Sequence, residues 1–221
     1  FLRLMLARNG LARKDVSGSD ITGYKAAVGK SRDYFKTNAF PAGLAQSCLV
    51  LSRACLKQGE TAAAEHYLRR GMDAVKKTPM PLIRNELKVT LAELLFSKGG
   101  KEHKSEAFEL LRAAEQELLY SGWHMAWVSK IFARYYWDHG HLETADKYMV
   151  YCLKICEEES FDTWMAKEKD WAVPLLIRLY AMGSLGAYIE KILIRMGADA
   201  VHALHDMAQF TEKREKKAVA T

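Results

Sequence analysis

The sequence predicts an all-α fold assembled from helix hairpins, and three observations carry that expectation. Apolar residues recur at steps of three and four along the whole chain. Glycine or proline breaks the pattern at helix-length intervals. No segment shows sustained strand alternation closed by hairpin turns. With 49% hydrophobic and 27% charged residues, the 221-residue chain reads as a folded globular protein and not a disordered one. It is long enough to bury a sizeable core.

The elements follow in order. An apolar helix is expected at Leu2–Ala7 or beyond. Ser17–Asp20 reads as a loop leading into an N-cap, and Ile21–Thr37 carries Ile21, Tyr24, Val28 and Phe35 at helical steps. Helices are then expected over Ala42–Lys57, Glu60–Lys77, Leu82–Ser97, Lys104–Tyr120, Trp123–Asp138 and Glu143–Glu159. Gly59, Thr78–Pro81, Gly99-Gly100, Ser121-Gly122 and His139-Gly140 separate them, because glycine favours helix ends and proline cannot continue a helix.

Self-similarity is the more informative signal. Gly59 is followed at offsets five, nine and twelve by Ala64, Leu68 and Gly71; Gly140 is followed at the same offsets by Ala145, Met149 and Cys152. Upstream, Leu51, Ser52 and Cys55 match Phe132, Ala133 and Tyr136. A middle unit fits with Leu91, Ala92 and Leu95 before Gly99 and with Ala107, Leu111 and Ala114 after it, if a loop from Gly99 to Lys104 carries three extra residues. Small residues let paired helices approach, and large ones fill the groove between.

These residues resemble the tetratricopeptide (TPR) repeat over about 42–159, in three units. The resemblance implies a right-handed superhelical array of antiparallel helix hairpins, a TPR-like solenoid. Residues 1–41 would be a degenerate leading hairpin or cap, 160–210 capping helices, and 211–221 a basic flexible tail. Ser52, Ala92 and Ala133 stand where the family has Gly, and the repeat is longer than the family's usual length of roughly 34 residues. Pro174, Leu175, Leu176, Gly183, Tyr188, Ile189, Ile192 and Leu193 resemble the segment that ends the repeat region of MalT-type, LuxR-family bacterial transcription regulators. That resemblance implies an effector-sensing or protein-docking region. The chain begins without Met, which suggests a piece of a longer protein.

No reactive constellation appears. There is no GxSxG elbow, no HExxH and no GxxxxGK[ST] phosphate loop, so no catalytic residue, cofactor or enzymatic activity is expected. His124, His139 and His141, and His202 and His205 beside Asp206, offer two or three metal donors at most, and no metal site is expected. Cys48/Cys55 and Cys152/Cys156 share helix faces among apolar neighbours, which reads as buried, reduced thiols in a cytoplasmic protein. No apolar run reaches the roughly 18 residues of a membrane span, so no membrane partner is expected.

The net charge of +6 draws on Lys213–Lys217 and on Arg3, Arg8, Arg13 and Lys14. A helix–turn–helix over Tyr188–Met196 and Ala198–Gln209 would present His202, His205 and Gln209 but no Arg or Lys, which argues against direct nucleic-acid binding. The first helices of the TPR fold line its concave face, so the resemblance places Gln46, Leu49, Arg53 and Lys57 there. Glu86, Val89, Glu93 and Phe96 follow in the second unit, and Trp127, Lys130, Arg134 and Trp137 in the third. Arg beside aromatic residues is the composition of binding hot spots. The expected partner-binding set is Arg53, Lys57, Glu93, Phe96, Trp127, Lys130, Arg134 and Trp137, holding a protein or peptide of acidic and apolar character. The alternatives are a homodimerisation module and, further off, a nucleic-acid-binding helical domain.

Overall fold

A computed structural model describes residues 2–11, 16–117 and 122–206. The basic tail, Arg13, Lys14 and Gln209 lie outside the described residues. All regular structure among the described residues is helical. The chain divides into two compact units, Phe1–Leu119 and Tyr120–Thr221, and the division falls between the second and third expected hairpins. The first unit holds α1 (Leu2–Leu11), α2 (Gly18–Thr37), α3 (Pro41–Lys57), α4 (Thr61–Val75), α5 (Pro81–Lys98) and α6 (Lys101–Glu117). The second holds α7 (Gly122–Asp138), α8 (Leu142–Glu158), α9 (Asp162–Met165), a 3-10 turn at Ala166–Glu168, α10 (Lys169–Ala181), α11 (Gly186–Met196) and a helical segment over 198–206. No described helix is long and apolar enough to cross a membrane.

Within the first unit each helix packs on its sequence neighbour, most extensively within α3/α4 and α5/α6; α1 also touches α3, and α3 touches α5. In the second unit α7/α8 is the tightest pair. The repeat positions explain this. Ala64, Ala107 and Ala145 are fully buried, as are Leu68, Leu111 and Met149. Ser52, Ala92 and Ala133 are equally buried on the facing first helices. Gly71 marks the closest approach: a Cβ there would stand 2.9 Å from Leu87 Cδ2 and 3.1 Å from Cys48 Cβ.

The turns repeat as well. Gly59, Gly140 and Gly183 take φ of 74°, 75° and 74°. Each donates its N–H three residues back, to Leu56, Trp137 and Tyr180, and the next N–H reaches five back, to Cys55, Tyr136 and Leu179. This is the Schellman arrangement, which satisfies carbonyls that the helix end leaves open. Ala39 (φ 48°) and Ser160 (φ 59°) make the same turn without glycine's tolerance for that region.

Gly183 therefore joins α10 and α11 as a further pair, within a stretch expected only to cap the array. Asp146 and Glu65 support the same register. Each lies six residues after its turn glycine and binds a cation on a later first helix, Arg178 on α10 at 3.0 Å and Lys98 on α5. Tyr188 occupies the position held by Ala64 and Ala145, and its buried ring carries a hydroxyl that donates to Asp162 of α9 at 3.0 Å.

Two local expectations change. Ser17 is itself the N-cap of α2: its Oγ accepts from Asp20 N at 3.1 Å, and Asp20 Oδ2 accepts from Ser17 N at 3.3 Å. Gly18–Asp20 are thus helical, because this reciprocal capping box satisfies the exposed first-turn donors. The three extra residues of the middle unit are not a loop either. Gly99 and Gly100 (φ 69° and 82°) make the whole reversal, and Lys101–His103 wind into nearly one added turn of α6.

Candidate partner-binding faces

The expected binding residues sit on α3, α5 and α7, and each unit engages its own share differently. In the first unit Arg53 lies 3.6 Å from Glu86, which also accepts from Arg8 of α1 at 3.3 Å. Burial pulls the Arg53 guanidinium below its ordinary pKa, while the charges of Glu86 and Glu93 oppose that drift. Leu49 and Val89 are buried, on first helices α3 and α5 that touch one another. Phe96 is half-buried and meets Phe108 edge-on, with ring centroids 5.3 Å apart. Glu93 is half-buried and Lys57 is exposed.

In the second unit Lys130 is buried rather than open. Its Nζ donates to Glu168 Oε1 at 2.7 Å and lies 4.7 Å from the Trp164 ring centroid. Glu168 Oε2 accepts from Trp171 Nε1 at 2.8 Å. Burial pushes the Glu168 carboxyl upward, but Lys130, the Trp171 hydrogen bond and the Arg134 charge together hold it below the usual range. Arg134 lies one turn further along α7. Its guanidinium carbon is 5.8 Å from the Trp171 ring centroid, and its side chain is 58% exposed. Asp138 stands 3.8 Å from it. Trp127 is half-buried, and Trp137 packs on the apolar core of this unit.

Arg53 and Lys130 are thus engaged by acids of later first helices, Glu86 on α5 and Glu168 beside α10. Sequence reasoning missed this because Glu168, among Lys167, Lys169 and Asp170, looks like an ordinary solvated charge pattern. Lys57 and Arg134 are exposed on these faces.

The remaining chemistry is structural. Cys48, Cys55, Cys152 and Cys156 are free and buried. Burial pushes the Cys48 thiol up to about 11, which makes it a poor nucleophile. The Cys152 and Cys156 sulfurs lie 4.0 Å apart, and their hydrogen bond and burial hold the Cys152 thiol well above its ordinary pKa. Among the described residues no three of His, Cys, Asp and Glu gather as metal ligands. His103 and His139 sit 2.9 and 2.8 Å from carbonyls one turn back, at Gly99 and Tyr135. Asp162 is buried and ties α9 to α11. It accepts from Tyr188 at 3.0 Å and pairs with Lys191 at 2.5 Å, contacts that hold its carboxyl low. A shallow open depression on α11 is lined by Ala187, Glu190, Lys191, Ile194 and Arg195.

Comparison with protein-family models, curated proteins and solved structures finds no match for this chain.

Proposed function

We propose that this chain is a non-catalytic protein-interaction scaffold, a TPR-type repeat region of a larger bacterial transcription regulator, that docks a protein or peptide on the faces of its first helices. The observation that carries the reading is Arg134. Its exposed side chain lies against Trp171 and Asp138, on the helix that also carries the half-buried Trp127 and Trp137. An oriented arginine loses less freedom on binding than a mobile lysine, and its planar fork matches a carboxylate. The common burial of Ala64, Ala107 and Ala145, with the shared turn at Gly59 and Gly140, supports the repeat reading. The partner is expected to present a carboxylate flanked by apolar side chains.

The test is Arg134→Glu in the full chain, with partner capture measured by cross-linking and fold checked by far-UV circular dichroism. Loss of a specific cross-linked species, with the melting transition unchanged, is the expected result. Undiminished capture by the folded variant would remove Arg134 from the binding face. Trp137→Ala is the weaker probe, because that ring also packs on the core.

A further inference from the structure

We infer that the chain associates with a second copy of itself, a basic, apolar-tipped edge of the first unit seating on an acidic corner of the second unit of another copy. The surface is made by the corners where helices meet, including the first turns of α5 and α7, and the inference does not rest on the role proposed for the first-helix faces.

Three connections from a second helix to the next first helix matter: 38–40 between α2 and α3, 76–80 between α4 and α5, and 159–161 between α8 and α9. Short connections make sequential helices antiparallel, so the first two corners share one end of the first unit. There Tyr34, Phe40 and Leu82 are 65%, 45% and 56% exposed. Lys36 stands between Tyr34 and Phe40 in the chain and Lys76 and Lys77 begin the α4–α5 corner before Leu82, all exposed and none in an ion pair among the described residues. Elsewhere in this unit Lys25, Arg69 and Lys98 each hold a carboxylate. Exposed aromatic and aliphatic tips among uncompensated lysines mark a surface that a partner of opposite charge would cover.

The chain itself carries that opposite charge. At the α8–α9 corner Glu157, Glu158 and Glu159 are exposed, and none makes an ion pair among the described residues. Next to them the half-buried rings of Phe161 and Trp123 meet edge-on, with centroids 5.2 Å apart. Three ammonium groups with apolar tips in one unit thus match three carboxylates with flanking aromatic rings in the other. Such a contact pairs unlike surfaces: two copies related by a two-fold axis would make it twice, and copies whose rotation does not close would add end to end.

The experiment is sedimentation of the full chain across a wide concentration range. Association is expected at low salt and should weaken at least roughly tenfold at about 1 M salt, where the screening length falls to about 3 Å. Lys76→Glu with Lys77→Glu should weaken it roughly tenfold or more, as should Glu157→Lys with Glu158→Lys in a separate protein. An equimolar mixture of the two variants should associate again, because each supplies the sign the other lacks. Phe40→Ala with Leu82→Ala should weaken association while keeping its salt dependence. Circular dichroism melting establishes that each variant is folded. The inference is overturned by a chain that stays monomeric at low salt, by charge-reversed variants that associate like the parent, or by a mixture that fails to recover. Binding of the lysine edge to phosphatidylserine vesicles without self-association would assign the surface to lipid and equally overturn it.

Discussion

Single residues set how closely the helices approach and where they end. Gly71 has no room for a larger side chain, with Leu87 and Cys48 against it. Gly71→Val should destabilise the fold by about 1–3 kcal/mol through overpacking, read as a lower denaturation midpoint. Ala39 and Ser160 hold a left-handed conformation that glycine adopts without steric cost. Ala39→Gly and Ser160→Gly should therefore stabilise by roughly 0.5–1 kcal/mol, and Gly59→Ala and Gly140→Ala should destabilise by a similar amount. If all four substitutions were neutral in urea unfolding, the turn account would fail. The glycine-anchored turns were legible in the sequence because glycine signals that conformation. The equivalent turns at Ala39 and Ser160 were not, because nothing in an alanine or serine announces a left-handed helix end.

At the scale of elements, the hairpins α3/α4, α5/α6 and α7/α8 could be read from spacing, since the small–large–small pattern appears directly in the residues. The pair α10/α11 was harder to see. Tyr188 replaces the expected alanine, which hides the repeat, and the pairing emerges from the Gly183 turn and the packing of α10 on α11. The Lys130–Glu168 pair was also hidden, because 38 residues separate its partners. It ties α7 to the start of α10 with little exposure on the lysine side. Glu168→Gln should cost roughly 2–4 kcal/mol, since it removes the Glu168 charge from a buried ammonium. The pH dependence has a definite sign. The Glu168 carboxyl lies below its unfolded value, so its contribution is present above the ordinary carboxylate range and is lost as pH falls through the lowered folded pKa. The parent should thus lose stability below roughly pH 4.5, and Glu168→Gln should show a shallower loss over the same window. Parallel denaturation curves at each pH measure this, and equal slopes for the two proteins would contradict it.

At the scale of the whole molecule, the described surface offers faces and edges for contact. The four cationic residues of the expected binding set fall into two groups. Arg53 and Lys130 pair with acids of the chain's own later helices, and Lys57 and Arg134 are exposed. The sequence pattern located the helices that bear these residues. It could not separate the two groups, because that depends on which acids the fold brings across from elsewhere in the chain. The proposed function resides in the first-helix faces. The most direct measurement is site-specific photo-cross-linking in the full chain. A photoreactive residue at Lys57 or Arg134 would be compared with one at Arg112 or Lys147 on the exposed sides of α6 and α8. The account predicts a discrete cross-linked partner from Lys57 and Arg134 and none from Arg112 and Lys147. Cross-links of equal yield from all four positions, or from the second helices alone, would contradict it.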